Sequence, residues 1–115
     1  MRPFELIHAA SFEEAAQLKA RGNADVMSGG TDLLNVYKHA LLQEHPEQVV
    51  DLKTIPGASG ITEQDGVLTV GALTTLTEIE ESPLVQAKAM GLAEGTRSVA
   101  TPLIRNRGTI GGNIC

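Results

Sequence analysis

The sequence is poor in several residue types that support common functions. It has no tryptophan, three aromatic residues in all and a single cysteine, Cys115. One cysteine cannot form an internal disulfide or hold a metal cluster, and it suits a reducing compartment. The histidines, which have no metal-ligand spacing and no partner cysteines, are His8, His39 and His45. No metal site is therefore predicted in this chain.

Basic clusters and long hydrophobic runs are also missing. The formal net charge is -5, and no stretch gathers lysine and arginine into a face suited to a nucleic-acid backbone. The longest apolar runs, such as residues 67–73, are far shorter than the roughly 20 residues that cross a bilayer. The first ten residues include Glu5 and His8, where a signal peptide needs an uninterrupted apolar segment. We expect a cytoplasmic protein without nucleic-acid partners or a membrane span.

What the sequence does contain is typical of a globular protein. Of the 115 residues, 42% are hydrophobic and 20% are charged, which predicts an ordinary folded chain. This length suffices for one compact domain with a single core, and we expect one domain over residues 1–115. It is short for a complete enzyme with a separate substrate domain.

Strands and helices are predicted in alternation over the first half of the chain. Ser11 and Glu14 form a capping-box pattern, and Gly22 is placed to end the helix that follows. Apolar residues at helical spacing indicate a second helix over 33–41. The strands are predicted at 4–8, 24–28 and 48–52. A parallel strand pair is possible wherever a helix lies between two strands, although the strand order is not fixed.

The second half begins with a predicted hairpin and continues with helices. Segments 60–63 and 66–73 alternate well enough for a hairpin that turns at residues 64–66. Thr75 and Glu78 form a second capping box, and Ser82 is followed by proline, so we expect one short helix and one of nearly three turns over 75–95. No periodicity is visible beyond residue 102. The mixture of elements predicts an α+β fold.

Ser28–Asp32, called the first turn below, places two glycines between a predicted strand and a predicted helix. Glycine accepts positive φ and has no side chain, so successive amides can face a bound anion such as phosphate. Asp32 is expected to cap the helix or to accept from a ribose hydroxyl. The turn lacks the Gly-Lys-Ser/Thr and three-glycine fingerprints of other nucleotide sites. The plainer alternative is a tight connection without a ligand.

Thr109–Asn113, the second turn, has a similar composition. A hydroxyl precedes two glycines, and Asn113 adds an amide side chain that can donate and accept. Alone, it can equally be a glycine-rich loop near the end of the chain. Two such turns could converge on opposite sides of a diphosphate, so the pair is more informative than either member.

Three segments together resemble the FAD-binding subunit or domain of the molybdenum hydroxylases. This family includes xanthine dehydrogenases, carbon monoxide dehydrogenase medium subunits, aldehyde oxidoreductases and 4-hydroxybenzoyl-CoA reductases. The matching segments, in family order and with compatible spacing, are SGGTDLL at 28–34, VGALTTLTEI at 70–79 and RNRGTIGGNIC at 105–115. The resemblance spans essentially the whole chain and covers only the N-terminal part of the family's flavin domain.

The resemblance implies FAD as the cofactor and assigns its binding residues. Around the FAD diphosphate, the first set would be Met27, Ser28, Gly29, Gly30, Thr31, Asp32 and Leu33. The second set would be Thr109, Ile110, Gly111, Gly112 and Asn113. Val99 and Ala100 would line the flavin side. No residue of the chain is expected to be catalytic, because the reactive atoms belong to the cofactor.

The fold that the resemblance implies is the N-terminal lobe of a two-lobed FAD-binding domain. Such domains are of the vanillyl-alcohol-oxidase/molybdopterin-dehydrogenase flavoprotein type. The second lobe would be absent, so the chain would be a truncated fragment that is inactive alone and binds FAD weakly. The few aromatic residues, which offer little to stack on a flavin, agree with this expectation.

The resemblance also implies an electron-transfer role within a heteromeric oxidoreductase complex. Partners would be a molybdopterin-binding large subunit and an iron–sulfur small subunit, with NAD or another acceptor. Two alternatives stay open from the residues alone: a nucleotide-binding module without redox function, and an interaction fragment whose glycines are structural. Arg105 and Arg107 are expected to be solvated, as is a helix face with Glu78, Glu80 and Glu81.

Overall fold

The chain divides into two compact units in a computed structural model that describes residues 3–38 and 46–115. The first unit is Met1–Pro56 and the second is Gly57–Cys115. Residues 39–41 of the helix expected over 33–41, together with His39 and His45, lie outside the described residues. Each unit is described by itself.

A three-stranded parallel sheet forms the centre of the first unit. Its elements are β1 (Glu5–His8), α1 (Phe12–Ala20), β2 (Ala24–Met27), α2 (Leu33–Lys38) and β3 (Gln48–Asp51). The strand order is β1-β3-β2, and both strand pairs are parallel. Val49 and Val50 on the middle strand are fully buried. The expected strands and the parallel pairing are confirmed, and all three strands end at the same edge of the sheet.

Local signals explain where the first helices begin and end. The Ser11 hydroxyl accepts from the Glu14 amide at 3.1 Å and caps α1, and Gly22 has a φ of +84° just after the helix. On α2, the Tyr37 side chain is buried and its hydroxyl donates to Asp25. Burial, together with the carboxylate of Asp25, raises the pKa of Tyr37. The Tyr37–Asp25 hydrogen bond therefore connects α2 to β2, the strand that precedes the first turn.

The second unit opens with the predicted hairpin, formed by β4 (Ile61–Gln64) and β5 (Val67–Val70). Asp65 and Gly66 connect the strands with φ values of +52° and +79°, as a two-residue type I′ turn requires. The second strand is shorter than expected because the chain leaves the ladder at Gly71. A Cβ at Gly71 would lie 2.5 Å from the Ala58 carbonyl oxygen, so only glycine fits there.

Three short helices follow the hairpin, so the expectation of two over 75–95 is wrong. They are α3 (Leu76–Glu81), α4 (Pro83–Lys88) and α5 (Met90–Arg97). Ala89, with a φ of -148° and a ψ of 59°, separates α4 from α5 without a proline or glycine to signal the break. The capping box of Thr75 and Glu78 is confirmed. Fully buried Ile79, Val85 and Ala93 form the core of this unit.

Two more helices, α6 (Pro102–Arg105) and α7 (Ile110–Ile114), occupy the region where no periodicity was expected. Helices of four and five residues are too short to show an apolar repeat. Each begins at a threonine cap, since the hydroxyls of Thr101 and Thr109 accept from amides three residues later. α7 begins inside the second turn.

Candidate functional site

The first turn leaves the sheet at the end of β2, where the carboxyl ends of the parallel strands meet. Ligands of open parallel sheets commonly bind at this edge. Gly30 has a φ of +73°, which disfavours any residue with a side chain. A Cβ at Gly30 would also lie 3.0 Å from Met27 Sδ and 3.2 Å from Leu34 Cδ1. The backbone conformation favours glycine at this position, and a methyl group there would also require small shifts of the Met27 and Leu34 side chains.

The carbonyls and amides of the first turn differ in their hydrogen bonding. The Gly30 carbonyl accepts from the Leu34 amide at 3.2 Å, and the Asp32 carbonyl accepts from the Val36 amide at 2.9 Å. Within residues 3–38 and 46–115, no acceptor lies within hydrogen-bonding geometry of the Gly29 or Gly30 amide. Gly29 is a buried residue and Gly30 is half-buried. Because a buried amide without an acceptor is costly, the Gly29 donor in particular fits a ligand oxygen such as that of a phosphate, and the Gly30 amide adds a second donor beside it.

A buried carboxylate supports the first turn from β3. Asp51 is 5% exposed and accepts from the Lys53 amide at 2.9 Å, from Lys53 Nζ at 2.7 Å and from His8 Nδ1 at 3.0 Å. Lys53 Nζ also donates to the Ser28 carbonyl at 2.8 Å. A continuous set of hydrogen bonds thus joins the ends of β1 and β3 to the first residue of the first turn.

The pKa of Asp51 reflects two opposing influences. Burial by itself raises the pKa of the carboxyl group, but the hydrogen bonds and positive charge of Lys53, with the hydrogen bond of His8, lower it. The net result is a pKa below the ordinary aspartate value. Asp51 is therefore an anion at neutral pH and balances the charge of Lys53.

The second turn is hydrogen-bonded differently. The Ile110 amide donates to the Thr74 carbonyl at 3.0 Å, and the Gly111 amide donates to the Ala72 carbonyl at 2.8 Å. The Gly112 amide donates to Thr109 Oγ1 at 3.2 Å, and the amide of Asn113 donates to the Thr109 carbonyl at 3.0 Å. All four amides that follow Thr109 therefore have acceptors within the second unit.

Close packing explains one glycine of the second turn. A Cβ at Gly111 would lie 2.8 Å from the Ala72 carbonyl oxygen and 3.1 Å from Ala72 Cβ. Thr75 and Thr109 also form an isolated antiparallel bridge. The structure thus places the segments 70–79 and 105–115 side by side. Asn113 is exposed, and its side chain makes no hydrogen bond within the described part of the chain.

Val99 and Ala100 form a strained segment held by a buried arginine. Ala100 has a φ of +45°, and Arg105 Nη1 donates to the Val99 and Ala100 carbonyls at 2.8 and 3.4 Å. Arg105 is 9% exposed, and its Nε lies 3.2 Å from Glu80 Oε2 as an ion pair without good hydrogen-bond alignment. Arg105 and Glu80 are therefore not solvated as expected, whereas Arg107 is exposed.

Sequence reasoning missed the residues that support both turns. Asp51 is a polar residue at the end of an otherwise apolar strand, a signal that would have marked it at the sheet edge. Ala72 and Thr74 lie in the resembling segment 70–79, but nothing local assigns them a role as acceptors for the second turn. Lys53 carries no signal, because its contact with Ser28 involves a residue distant in sequence. The predicted residues 27–33 run from the last residue of β2 through the first turn to the first residue of α2, all in the first unit. The predicted residues 99–100 and 109–113 lie in the second unit.

Metal-ligating groups and membrane-spanning helices were both sought in the described ranges. Residues 3–38 and 46–115 contain no group of three or more histidine, cysteine or acidic side chains placed to hold a metal ion. Over the same residues, no helix combines the length and apolar character needed to cross a membrane.

Open glycine amides after a parallel strand are characteristic of proteins that bind phosphate-bearing cofactors. A family model, "FAD binding domain in molybdopterin dehydrogenase", matches residues 2–115. The chain belongs to this family. Membership makes FAD its cofactor and places the chain among the FAD-binding parts of dehydrogenase-type oxidoreductases, and it confirms the resemblance and the fold class.

Curated relatives carry the names of dehydrogenase subunits. The chain is 38% identical over 113 residues to the carbon monoxide dehydrogenase medium chain of Hydrogenophaga pseudoflava, covering 96% of this chain and 39% of the relative. It is 36% identical over 109 residues to the xanthine dehydrogenase FAD-binding subunit of Escherichia coli O157:H7, covering 93% and 37%. The chain therefore spans about two fifths of the length of these relatives.

Solved structures of related enzymes also resemble this chain over nearly its whole length. Carbon monoxide dehydrogenase from H. pseudoflava, in a form that lacks the Mo-pyranopterin moiety of the molybdenum cofactor, matches with a TM-score of 0.90 and 38% identity. The match covers 99% of this chain and 40% of that one. Quinoline 2-oxidoreductase from Pseudomonas putida 86 matches with a TM-score of 0.88 and 31% identity, covering 96% and 39%.

Proposed function

We propose that the first turn binds the diphosphate of FAD through the amides of Gly29 and Gly30. The observation that carries this proposal is that both amides lack an acceptor in the described chain although Gly29 is buried. FAD supplies the redox chemistry when bound, and the chain contributes binding and orientation. A diphosphate oxygen would satisfy donors that are otherwise unpaired.

Other residues of the first turn have supporting roles in this proposal. The hydroxyls of Ser28 and Thr31 add polar groups at the rim of the turn. Asp32 is exposed and accepts from a ribose hydroxyl, since a carboxylate aimed at a diphosphate would be repelled. Met27 and Leu33 flank the turn, and Met27 fills the space beside Gly30.

The second turn contributes side chains rather than open amides. Asn113 is the proposed ligand residue because its exposed amide group has no hydrogen-bond partner in the described chain. Thr109, Ile110, Gly111 and Gly112 keep the turn in shape through their internal hydrogen bonds. Val99 and Ala100, held by the neighbouring arginine, are proposed to line the flavin side.

The names of the relatives extend the proposal to the complete protein. The chain is proposed to belong to an oxidoreductase of the molybdenum-hydroxylase type that passes electrons between iron–sulfur clusters and NAD or another acceptor. Its proposed partners are a molybdopterin-binding large subunit and an iron–sulfur small subunit, in a heteromeric complex in the cytoplasm. The proposal rests on medium-chain and FAD-subunit relatives, which the chain matches over nearly its whole length.

The test is a titration of the protein with FAD, ADP and riboflavin, followed by flavin fluorescence or calorimetry. FAD and ADP share the diphosphate, whereas riboflavin lacks it. We expect saturable binding of FAD and ADP, and much weaker binding of riboflavin. Gly30→Ala should weaken FAD binding by about tenfold, or about 1.4 kcal/mol, because the turn must change conformation.

Gly22→Ala is the matched control. Gly22 also has positive φ, at +84°, but a Cβ there would meet no atom within 4 Å. This variant carries a similar backbone strain outside the first turn and should bind FAD as the wild type does. Absence of FAD binding by the wild type, or equal affinities in Gly30→Ala and wild type, would contradict the proposal.

A further inference from the structure

Lys53 lies outside all three segments that resemble the family, yet it contacts the first turn directly. We propose that Lys53 is a positioning residue for FAD, because it holds the Ser28 carbonyl so that the Gly29 amide faces the diphosphate. This inference rests on the proposed function. It adds a residue from the end of β3 to the binding of the cofactor.

The parallel sheet brings Lys53 to this position. Met27 and Asp51 are paired in the β2–β3 register, and the Leu52 amide donates to the Met27 carbonyl at 2.9 Å. The chain after β3 therefore runs beside the start of the first turn. From there Lys53 Nζ reaches the Ser28 carbonyl oxygen at 2.8 Å.

Peptide geometry links the Ser28 carbonyl to the Gly29 amide. The two groups belong to one peptide unit, and in a planar trans peptide the C=O and N–H bonds point in opposite directions. A hydrogen bond that fixes the Ser28 carbonyl therefore also fixes the direction of the Gly29 N–H. This N–H is one of the two donors without an acceptor in the described residues.

Charge reinforces the effect of geometry. The ammonium group of Lys53 polarises the peptide whose carbonyl it contacts, and such polarisation strengthens the amide as a donor. Asp51 holds the ammonium in place at 2.7 Å and is itself buried. The Lys53 side chain, although partly exposed, is thus held by two acceptors at the same edge of the sheet, one at the end of β3 and one just after β2.

The first unit provides a matched lysine for comparison. Lys19 Nζ donates to the Ala24 carbonyl at 2.9 Å and to Asp25 Oδ1 at 3.3 Å, so it also joins a carbonyl to a carboxylate. Its contacts lie at the opposite end of β2 from the first turn. Lys19 therefore makes the same kinds of bond without contacting a glycine turn.

The experiment compares Lys53→Met with Lys19→Met and Lys53→Arg in two measurements. The first is FAD affinity, for which we expect a loss of about tenfold in Lys53→Met and less than about twofold in Lys19→Met. Lys53→Arg keeps a cationic donor and should recover most of the affinity. The second is the ¹⁵N order parameter of the Gly29 amide in ligand-free protein.

The Gly29 order parameter distinguishes a specific effect of Lys53 on the first turn from a general loss of protein stability. We expect a rigid value of about 0.85 in the wild type and in Lys19→Met, falling toward the flexible range below about 0.6 in Lys53→Met. An unchanged Gly29 order parameter or unchanged FAD affinity in Lys53→Met overturns the inference. The two proposals can also fail separately. If the wild-type protein binds no FAD but the Gly29 order parameter still falls in Lys53→Met, FAD binding by the first turn is refuted, whereas the restraint of the Gly29 amide by Lys53 is confirmed.

Discussion

The first and second turns have similar sequences but opposite hydrogen bonding. In the first turn the Gly29 and Gly30 amides have no acceptor among the described residues, whereas in the second turn the amides of residues 110–113 all donate within their own unit. The first turn is thus prepared to donate backbone hydrogen bonds to a ligand. The second turn is a closed structure that presents side chains.

The glycines of the two turns serve different purposes as well. Gly30 is required mainly by its positive φ, which is +73°. Gly111 is required by close approach, because a Cβ there would lie 2.8 Å from the Ala72 carbonyl oxygen. A pair of glycines in a sequence therefore does not by itself indicate an anion site. The acceptors around the amides decide whether the turn is open.

The largest effect is expected from Gly111→Ala. The new methyl group would collide with backbone and disrupt the hydrogen bonds from Ile110 and Gly111 to the segment 72–74, at a cost of about 3 kcal/mol in the free energy of unfolding. Chemical denaturation measures this cost.

Gly91→Ala is the control for this substitution, since a Cβ at Gly91 would meet nothing within 4 Å. It lies in helix α5 and should raise stability by about 0.5 to 1 kcal/mol. Equal effects of the two substitutions would show that close approach does not explain Gly111.

Gly30→Ala should cost about 2 kcal/mol in the free energy of unfolding. Left-handed backbone disfavours alanine by roughly 1–2 kcal/mol, and Met27 and Leu34 must shift to admit the methyl group. Gly22→Ala introduces the backbone strain without a steric contact. The loss of unfolding free energy in Gly30→Ala minus the loss in Gly22→Ala therefore measures the packing contribution. If both variants lose the same stability, packing beside Gly30 makes no contribution.

Asp51→Asn should lower stability at neutral pH by about 1–2 kcal/mol, because charged hydrogen bonds from Lys53 and His8 become weaker. The folded-state pKa of Asp51 is lowered, so its contribution is complete above the unfolded pKa of about 3.9 and is lost as the pH falls toward the folded pKa. The stability difference between wild type and variant should therefore narrow below about pH 4.

Denaturation curves from pH 7 to pH 3 test this pH dependence. A difference that stays constant over the whole range would contradict a lowered pKa at Asp51. Asp65→Asn is a suitable control because Asp65 is exposed in the hairpin turn.

The smallest effect is expected from Thr109→Val, which removes the hydroxyl that accepts from the Gly112 amide. Loss of a helix N-cap costs about 1 kcal/mol. The variant also releases one amide of the second turn, so hydrogen exchange at Gly112 should become faster. Unchanged exchange at Gly112 would indicate that this amide is not held by Thr109.

The sequence predicted those parts of the fold that depend on local signals. The strands of the first unit, the Asp65–Gly66 hairpin turn and the capping box at Thr75 are confirmed. At Ser11 the hydroxyl caps the helix as expected, but the return bond expected from the Glu14 carboxylate is not formed among the described residues. The break at Ala89 was not predicted, because the nearest helix-disfavouring residue, Gly91, lies two positions later and inside α5. Helices α6 and α7 are too short for a periodic pattern.

In the candidate site, too, features with a local sequence signal were predicted and features that depend on distant contacts were not. The two glycine turns were found from their composition, and membership of the FAD-binding family agrees with that interpretation. The difference between the turns was not predictable, because the acceptors at Ala72 and Thr74 are brought to the second turn by the fold. The contact between Lys53 and Ser28 likewise depends on the pairing of β2 with β3.

The most direct test of this account is a ¹H–¹⁵N NMR titration of the protein with FAD that follows Gly29, Gly30, Gly111 and Gly112. The account predicts saturable shifts of the Gly29 and Gly30 amides as they form hydrogen bonds to the diphosphate, and much smaller shifts at Gly111 and Gly112. Saturable shifts centred on Gly111 and Gly112, with Gly29 and Gly30 unmoved, would contradict the central claim that the first turn donates the backbone hydrogen bonds.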